Sequence, residues 1–123
     1  MLQRGSKVEI LDNSGAKEGK CICVLDGFFN RRADSGSLVI LSIRKLRLVR
    51  RVKIGQLFLG VIVKTKSWTR SKDNVFTKFQ KNGAVLLTRK KQIFASKVFG
   101  SVSRNLRKKK YLRILLLAGL KFF

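Results

Sequence analysis

Residues 56–66 read QLFLGVIVKTK, which is the longest stretch of the chain with an apolar strand pattern. Leu and Val occupy positions 57, 59, 61 and 63, and Phe, Gly and Ile occupy positions 58, 60 and 62. Successive side chains of a strand point to opposite faces, so both faces of this strand are apolar. Such a strand lies centrally in a sheet or is covered on both sides. Gly60 within it predicts a bulge or a tight bend, as at the corner of a barrel.

Shorter segments with the same period of two occur on both sides of this strand. They predict further strands at residues 7–10, 21–25, 38–43, 75–79 and 84–88. The spacing is typical of a small antiparallel barrel or a sandwich, and we favour a five-stranded OB-like barrel because closure removes the strand edges. We expect a mainly β, single domain over residues 1–123, with the barrel over about residues 1–100.

The pattern changes in the last part of the chain, over about residues 101–123. Ser103 is a suitable N-cap for a short helix that continues to about Lys109. A second short helix or turn, packed on the barrel, fits the apolar side chains of Tyr111, Leu112, Leu115 and Leu116.

The charge of the chain points to a polyanionic partner. It has 29 Lys and Arg against six Asp and Glu, a formal net charge of +23 and a pI of about 11.4 over 123 residues. Residues 1–34 hold six of the basic and five of the acidic residues, so residues 35–123 hold 23 basic residues and Asp73. A chain with this balance repels itself when compact and suits binding to nucleic acid phosphates.

Several classes of protein fit the composition poorly. The chain has no His and few carboxylates, so an enzyme is not predicted. Strand alternation places Cys21 and Cys23 on one face, where two small core residues are favoured over a metal site that lacks two ligands. We predict no metal and no cofactor. The longest apolar run, Ile114–Leu120, is too short to span a bilayer, and no signal peptide is visible, so no membrane partner is expected.

Three basic segments are candidates for RNA binding. One is the group Arg104, Arg107, Lys108, Lys109, Lys110 and Arg113, which on a helix covers most of one side and faces a phosphate backbone or a partner, or else is a solvated helix face. The stretch Arg44–Lys53 is interpreted as a β-ribbon or extended loop along an RNA backbone, or else as a solvated edge strand protected by charge. Lys64–Lys72, followed by Asp73 and Asn74, resembles a hairpin arm. Its Trp68 either stacks on a base or caps the barrel end. The candidate RNA-binding residues are Arg31, Arg32, Arg44, Lys45, Arg47, Arg50, Arg51, Lys53, Lys64, Lys66, Trp68, Arg70, Lys72, Arg104, Arg107 and Lys108.

Five sequence blocks occur together in a specific order and spacing. They are DNSGA at 12–16, CI-x-VL at 21–25, GVIVKTK at 60–66, AVLL at 84–87 after Phe79 and Asn82, and VFG-x-VSR-x-LR at 98–107. In these blocks the chain resembles the universal large-subunit ribosomal protein L-fourteen family, from Met1 to about Ala118. It departs from the family at the hairpin tip, where the usual Asp-Gly is Asp73-Asn74, and at Leu116, where a polar residue is usual.

The resemblance implies a fold and a structural role. The fold is a five-stranded OB-like β-barrel with a projecting β-ribbon or hairpin and two small C-terminal helices. The role is to bind large-subunit rRNA near the subunit interface and to help form bridges to small-subunit rRNA. The family also implies contacts with ribosomal proteins L-nineteen and L-three and docking of the ribosome silencing factor, whose contacts correspond to Ser96, Lys97 and Arg113.

The source and the alternative functions follow from weaker features. A divergent chain without Pro, His or a visible presequence suggests a mitochondrial ribosome in the matrix, with the bacterial cytoplasm or the plastid stroma as alternatives. The alternative function is a free-standing basic OB-like nucleic-acid-binding protein, whose stacking aromatics would be Trp68, Phe28 and Phe29. A cationic membrane-surface protein is disfavoured because the tail, residues 104–123, lacks a clean amphipathic stripe.

Overall fold

A closed barrel of five strands is the centre of the computed structural model, which describes residues 2–25, 31–47, 51–70, 73–107 and 111–119. The barrel strands are β2 (Lys7–Ile10), β3 (Ala16–Val24), β5 (Leu38–Leu46), β6 (Leu57–Lys64) and β9 (Gly83–Leu87). Two pairs of short strands accompany them: β1 (Leu2–Gln3) with β4 (Arg32–Ala33), and β7 (Thr69–Arg70) with β8 (Phe76–Thr77). A 3-10 turn at Arg104–Arg107 and a helix, α1 (Leu112–Leu117), follow.

The strands are ordered β2-β3-β5-β6-β9, and β9 closes the barrel against β2. The mainly β, OB-like barrel is therefore confirmed, but the prediction of a wholly antiparallel sheet is wrong at the closing pair, where β2 and β9 are parallel. The reason is geometric. Five strands that alternate in direction leave the first and the fifth pointing the same way, so an odd-numbered barrel of this kind must close with a parallel pair.

From Gly60 to Val63, strand β6 is buried on both faces, as its sequence predicted, whereas Leu57 at its start is exposed. Phe58 and Ile62 pack inside the barrel with Leu41 and the other inward-facing side chains. On the opposite face, Val61 and Val63 belong to a second cluster, which the C-terminal segment covers. We call this second cluster the outer cluster; its other buried members are Leu11, Leu38, Val85, Leu87, Val98, Val102, Leu106, Ile114, Leu115 and Ala118. The strand lacks a polar face because the C-terminal turn and helix, rather than water, cover its outer side.

Gly60 lies where the interior of the barrel is closely packed. It is paired regularly with Val39 on one side and Leu86 on the other, and the bulge of β6 lies between Ile62 and Lys64. A Cβ at position 60 would come within 2.7 Å of Leu41 Cδ1. The predicted bulge at Gly60 is therefore wrong, and the residue is small because the interior of the barrel leaves no room there.

The two cysteines lie on different faces of β3. Cys21 is fully buried in the barrel core, whereas Cys23 is exposed. The register against β5 shifts between them, so that Cys21 pairs with Leu41 and Cys23 with Ile40. A β-bulge of this kind inserts one extra residue and breaks the period of two. The prediction that both face the same way is wrong for that reason, although Cys21 is a core residue as expected.

The C-terminal segment forms one short turn and one short helix. Ser103 Oγ accepts a hydrogen bond from the Asn105 N–H at 3.4 Å, as expected of a cap, but the described part of the element, Arg104–Arg107, is a 3-10 turn; the predicted end at about Lys109 lies outside the described residues. In α1, Ile114 and Leu115 are buried, while Leu112 and Leu116, predicted to pack on the barrel, are exposed. Tyr111 and Leu115 thus pack as predicted, whereas Ile114 and Ala118 take the buried positions that were predicted for Leu112 and Leu116.

A buried carboxylate holds the closing strand in place. Asp12 is completely buried and follows β2. One of its oxygens accepts hydrogen bonds from the N–H and hydroxyl of Ser14, and the other accepts the N–H of Leu86 in β9 at 2.9 Å. Because a buried charge must be satisfied by donors, these bonds fix the turn after β2 and the position of β9 together.

Candidate nucleic-acid interface

Most of the candidate RNA-binding side chains are exposed on loops and strand ends. Arg47 and Lys64 are half-buried. Arg50, Lys72 and Lys108 lie outside the described residues, as do the alternative stacking residues Phe28 and Phe29. The exposed members are Arg31, Arg32, Arg44, Lys45, Arg51, Lys53, Lys66, Trp68, Arg70, Arg104 and Arg107.

The basic stretch Arg44–Lys53 is part strand and part loop. It begins in β5, where Lys45 lies opposite Glu18 of β3 and forms an ion pair with it at 3.3 Å. After residues 48–50, which are not described, the chain turns back to β5, where the Gly55 N–H donates to the Ile43 carbonyl, and then continues into β6. The described part of the stretch is therefore the end of β5, up to Leu46, and a loop from Arg51 onward.

Arg47 is bound to the barrel rather than presented to solvent. Its two terminal nitrogens donate to the carbonyl oxygens of Ile10 and Asp12, at 3.2 and 3.3 Å. Its guanidinium carbon also lies 5.8 Å from the centre of the Phe99 ring. These contacts tie the end of β5 to the turn after β2. Two of the five guanidinium N–H groups of Arg47 thus hold the barrel together through backbone carbonyls.

The segment after β6 forms the hairpin that the sequence predicted. Strands β7 and β8 pair antiparallel, and Asn74 at the tip has φ 59°, the left-handed conformation that Asn tolerates. Arg70 donates to the side-chain oxygen of Asn74 across the tip. Trp68 is 65% exposed, so the alternative in which it caps the barrel end is wrong.

The C-terminal turn presents two cations outward. Leu106 is fully buried in the outer cluster, while its neighbours Arg104 and Arg107 are exposed. The alternation follows from the threefold period of a 3-10 turn, which places residues 104 and 107 on the same side. The turn therefore anchors through Leu106 and leaves its guanidinium groups at the surface.

The loop that contains Ser96 and Lys97 is fixed by Asn13. The Asn13 side-chain oxygen accepts the backbone N–H groups of Ser96 and Lys97, at 3.0 and 3.1 Å, and its amide donates to Ser96 Oγ at 2.9 Å. The Lys97 and Arg113 side chains are exposed. Val98 and Ile114, one position along from each, share the outer cluster, so the two segments are joined through that cluster.

The family comparison agrees with this geometry. The model of the family described as ribosomal protein L14p/L23e matches residues 1–121 of the 123. The chain belongs to this family. It is therefore a structural ribosomal protein of the large subunit, and the resemblance inferred from the five sequence blocks is confirmed. Ribosomal protein families generally have no enzymatic activity.

Sequence reasoning missed two polar residues that organise this L14p/L23e chain. The sequence marks Asp12 and Asn13 only as part of the DNSGA block, yet Asp12 binds β9 and Asn13 binds the loop at Ser96. Both belong to the DNSGA block, so the resemblance to the family was the signal that could have identified them. Their partners lie more than 70 positions away, and no local pattern identifies them.

Within the described ranges, no group of three or more Cys, Asp or Glu side chains comes together as a candidate metal centre. Among the same residues, no helix has the length and apolar character needed to cross a bilayer.

Proposed function

We propose that the protein binds large-subunit rRNA near the subunit interface and contributes to bridges with small-subunit rRNA. The observation that carries the proposal is the charge arrangement. Exposed cations lie on the loop after β5, on the hairpin after β6 and on the C-terminal 3-10 turn. All of these lie within residues 35–123, where Asp73 is the sole acidic residue. Phosphates neutralise such a surface, and the released counterions give an affinity that falls with salt.

The specificity of this binding is expected to come from shape. Arg51 and Lys53 lie on a loop, and contacts from such residues to phosphates position a protein without reading sequence. Folded RNA presents a particular arrangement of phosphates, which a rigid barrel with cations at fixed places can match. The binding site on the rRNA is then selected by the shape of the assembled RNA, and the function requires binding rather than chemical catalysis.

The finer assignments rest on the resemblance and remain part of the proposal. They are contacts with ribosomal proteins L-nineteen and L-three, docking of the ribosome silencing factor at Ser96, Lys97 and Arg113, and a place in the mitochondrial ribosome. The exposed Lys97 and Arg113 side chains support an accessible protein-contact surface. Leu116, which is 58% exposed beside Arg113, would make that surface more apolar than the family pattern.

The experiment is sedimentation of the tagged protein from an extract of its source, in low and in high salt. We expect it to migrate with the large subunit and to be released only by high salt. Slow sedimentation as a free protein in low salt would contradict the proposal and favour the free-standing nucleic-acid-binding protein.

A charge variant tests the surface itself. We expect Arg44→Ala, Arg51→Ala and Lys53→Ala together to reduce incorporation and to lower the salt dependence of rRNA binding by about two to three ions. The matched control removes three cations from the first third of the chain, as Lys7→Ala, Lys17→Ala and Lys20→Ala. Equal loss in both variants would show that total charge, rather than the surface after β5, governs binding.

A further inference from the structure

One face of the hairpin carries alternating aromatic and basic side chains. Trp68, Arg70, Phe76 and Lys78 form this outer hairpin face, and all four are exposed. The Lys78 ammonium lies 5.7 Å from the centre of the Trp68 ring, and the Arg70 guanidinium lies 5.9 Å from the centre of the Phe76 ring. Two exposed aromatic rings, each with a cation beside it, therefore lie on one two-stranded element.

The opposite face of the hairpin is attached to the rest of the protein. Thr69 is buried, and its hydroxyl donates to the Asp34 carboxylate at 3.2 Å and contacts the Thr65 hydroxyl at 3.3 Å. The Arg70 bond to Asn74 also fixes the tip. These bonds fix the hairpin backbone that carries the aromatic rings. A ligand that binds the rings therefore loses little free energy to ordering of that backbone.

The charge around this face selects the chemistry of the ligand. Residues 64–81 contain six Lys and Arg and a single acidic residue, Asp73. Lys is depleted from the cores of protein–protein interfaces, where an exposed Trp and Phe would otherwise suit a protein partner. Aromatic rings among cations are the usual arrangement for single-stranded nucleic acid, in which bases stack on rings while the backbone phosphates meet the cations.

We propose that Trp68 stacks on an unpaired base of RNA while Lys78 binds the adjacent phosphate. This inference rests on the proposed function, because it names the part of the rRNA that the hairpin contacts. Lys78 leaves the ring face for the phosphate when the base arrives, so its charge stays paired throughout. The groove beside the face, about 490 Å³ in volume and lined by both aromatic residues, gives the base space to enter. Phe76 and Arg70 form the equivalent pair for the next nucleotide.

Trp68 is the single tryptophan of the chain and therefore reports directly on its own contacts. The full-length protein is titrated with a single-stranded oligouridine and with a fully paired RNA duplex of equal length. Binding of each RNA is followed by fluorescence anisotropy of a label on the RNA. We expect the single strand to quench tryptophan fluorescence, and the duplex to bind without quenching because its bases are already stacked.

The variant Trp68→Ala measures the contribution of stacking. We expect its affinity for the single strand to fall about 5- to 150-fold, which corresponds to about 1–3 kcal/mol per base, while duplex affinity stays unchanged. Trp68→Phe is expected to recover part of the affinity. The control Leu57→Ala, which removes another exposed apolar side chain (62%) outside the hairpin, leaves both affinities unchanged. Circular dichroism confirms that each variant is folded.

The outcomes separate this inference from the function on which it rests. Salt-dependent binding of both RNAs with no quenching, or with no effect of Trp68→Ala, would overturn base stacking and leave rRNA binding intact. Reduced incorporation of Trp68→Ala into the ribosome with unchanged RNA affinity would also overturn it and would assign the face to a protein partner. Failure of the wild-type protein to bind either RNA would contradict both proposals.

Discussion

Arg47 and Arg51 belong to the same basic stretch but differ in what their guanidinium groups contact. We expect Arg47→Ala to lower the free energy of unfolding by about 1–3 kcal/mol, because it removes a charged donor from two backbone carbonyls. Arg51 is exposed, so Arg51→Ala should change stability by about 0.5 kcal/mol or less. Urea denaturation followed by circular dichroism measures both. Equal stability of the two variants would show that the Arg47 bonds contribute nothing.

The two cysteines should react with thiol reagents at different rates. Burial, followed by the neighbouring Cys23, raises the pKa of the Cys21 thiol, so Cys21 has less reactive thiolate at a given pH than an ordinary cysteine. At neutral pH we expect one thiol per native chain to react quickly, and the second only after unfolding. Cys23→Ser should abolish the fast reaction. If both thiols of the native protein reacted equally fast, Cys21 and Cys23 would be equally exposed, which would contradict the bulge that places them on different faces.

Residue roles were only partly predictable from the sequence. The composition of a basic stretch shows that phosphate binding is favoured, but it cannot show that Arg47 bonds to carbonyls, since its partners lie 35 and 37 positions away. The same holds for Asn13 and Ser96, which are 83 positions apart. In contrast, the left-handed Asn74 was predictable, because turn conformation depends on the local chain.

At the scale of elements, α1 depends on the barrel for its stability. It has six residues, too few for a stable isolated helix, so packing must hold it. We expect Ile114→Ala, which removes a fully buried side chain of the outer cluster, to destabilise the protein by about 2–5 kcal/mol. Thermal unfolding followed by circular dichroism checks this value.

The matched control is on the same helix. Leu116 is 58% exposed, and Leu116→Ala should change stability by about 0.5 kcal/mol or less. If Leu116→Ala were as destabilising as Ile114→Ala, the packing face of α1 described above would be incorrect. Because both substitutions are to Ala, a good helix former, the difference between them reports packing rather than helix propensity.

The elements with strong apolar alternation were the predictable ones. All five barrel strands coincide with predicted segments, although β3 begins at Ala16 and β5 continues to Leu46, beyond the predicted ends. The short strands β1 and β4 have two residues each, too few for a period to appear. The bulge between Cys21 and Cys23 in β3 was not predictable either, because it depends on the register against β5 rather than on the β3 sequence.

At the scale of the whole molecule, the net charge of +23 opposes the compact state. We expect inorganic polyphosphate at about 100 times its Kd to stabilise the free protein by at most about 2.7 kcal/mol, the value for a ligand that binds only the folded state; binding to the unfolded chain, which carries the same charge, lowers it. Differential scanning calorimetry measures the accompanying rise in Tm, with NaCl at the same ionic strength as the control. An identical Tm in both salts would show that screening alone accounts for the effect.

The parallel pairing of β2 with β9 also sets the order in which the chain can fold during its own synthesis. Strand β9 fills the remaining edges of both β2 and β6, and Leu86 is bound by Asp12 from 74 positions earlier. Until residue 87 has been made, the growing chain can pair β2, β3, β5 and β6 only as an open sheet with two free edges. A chain that stops before this point would expose both edges, and unpaired edges of this kind recruit other chains. Release of β9 is thus the step that turns an aggregation-prone intermediate into a protein ready for assembly.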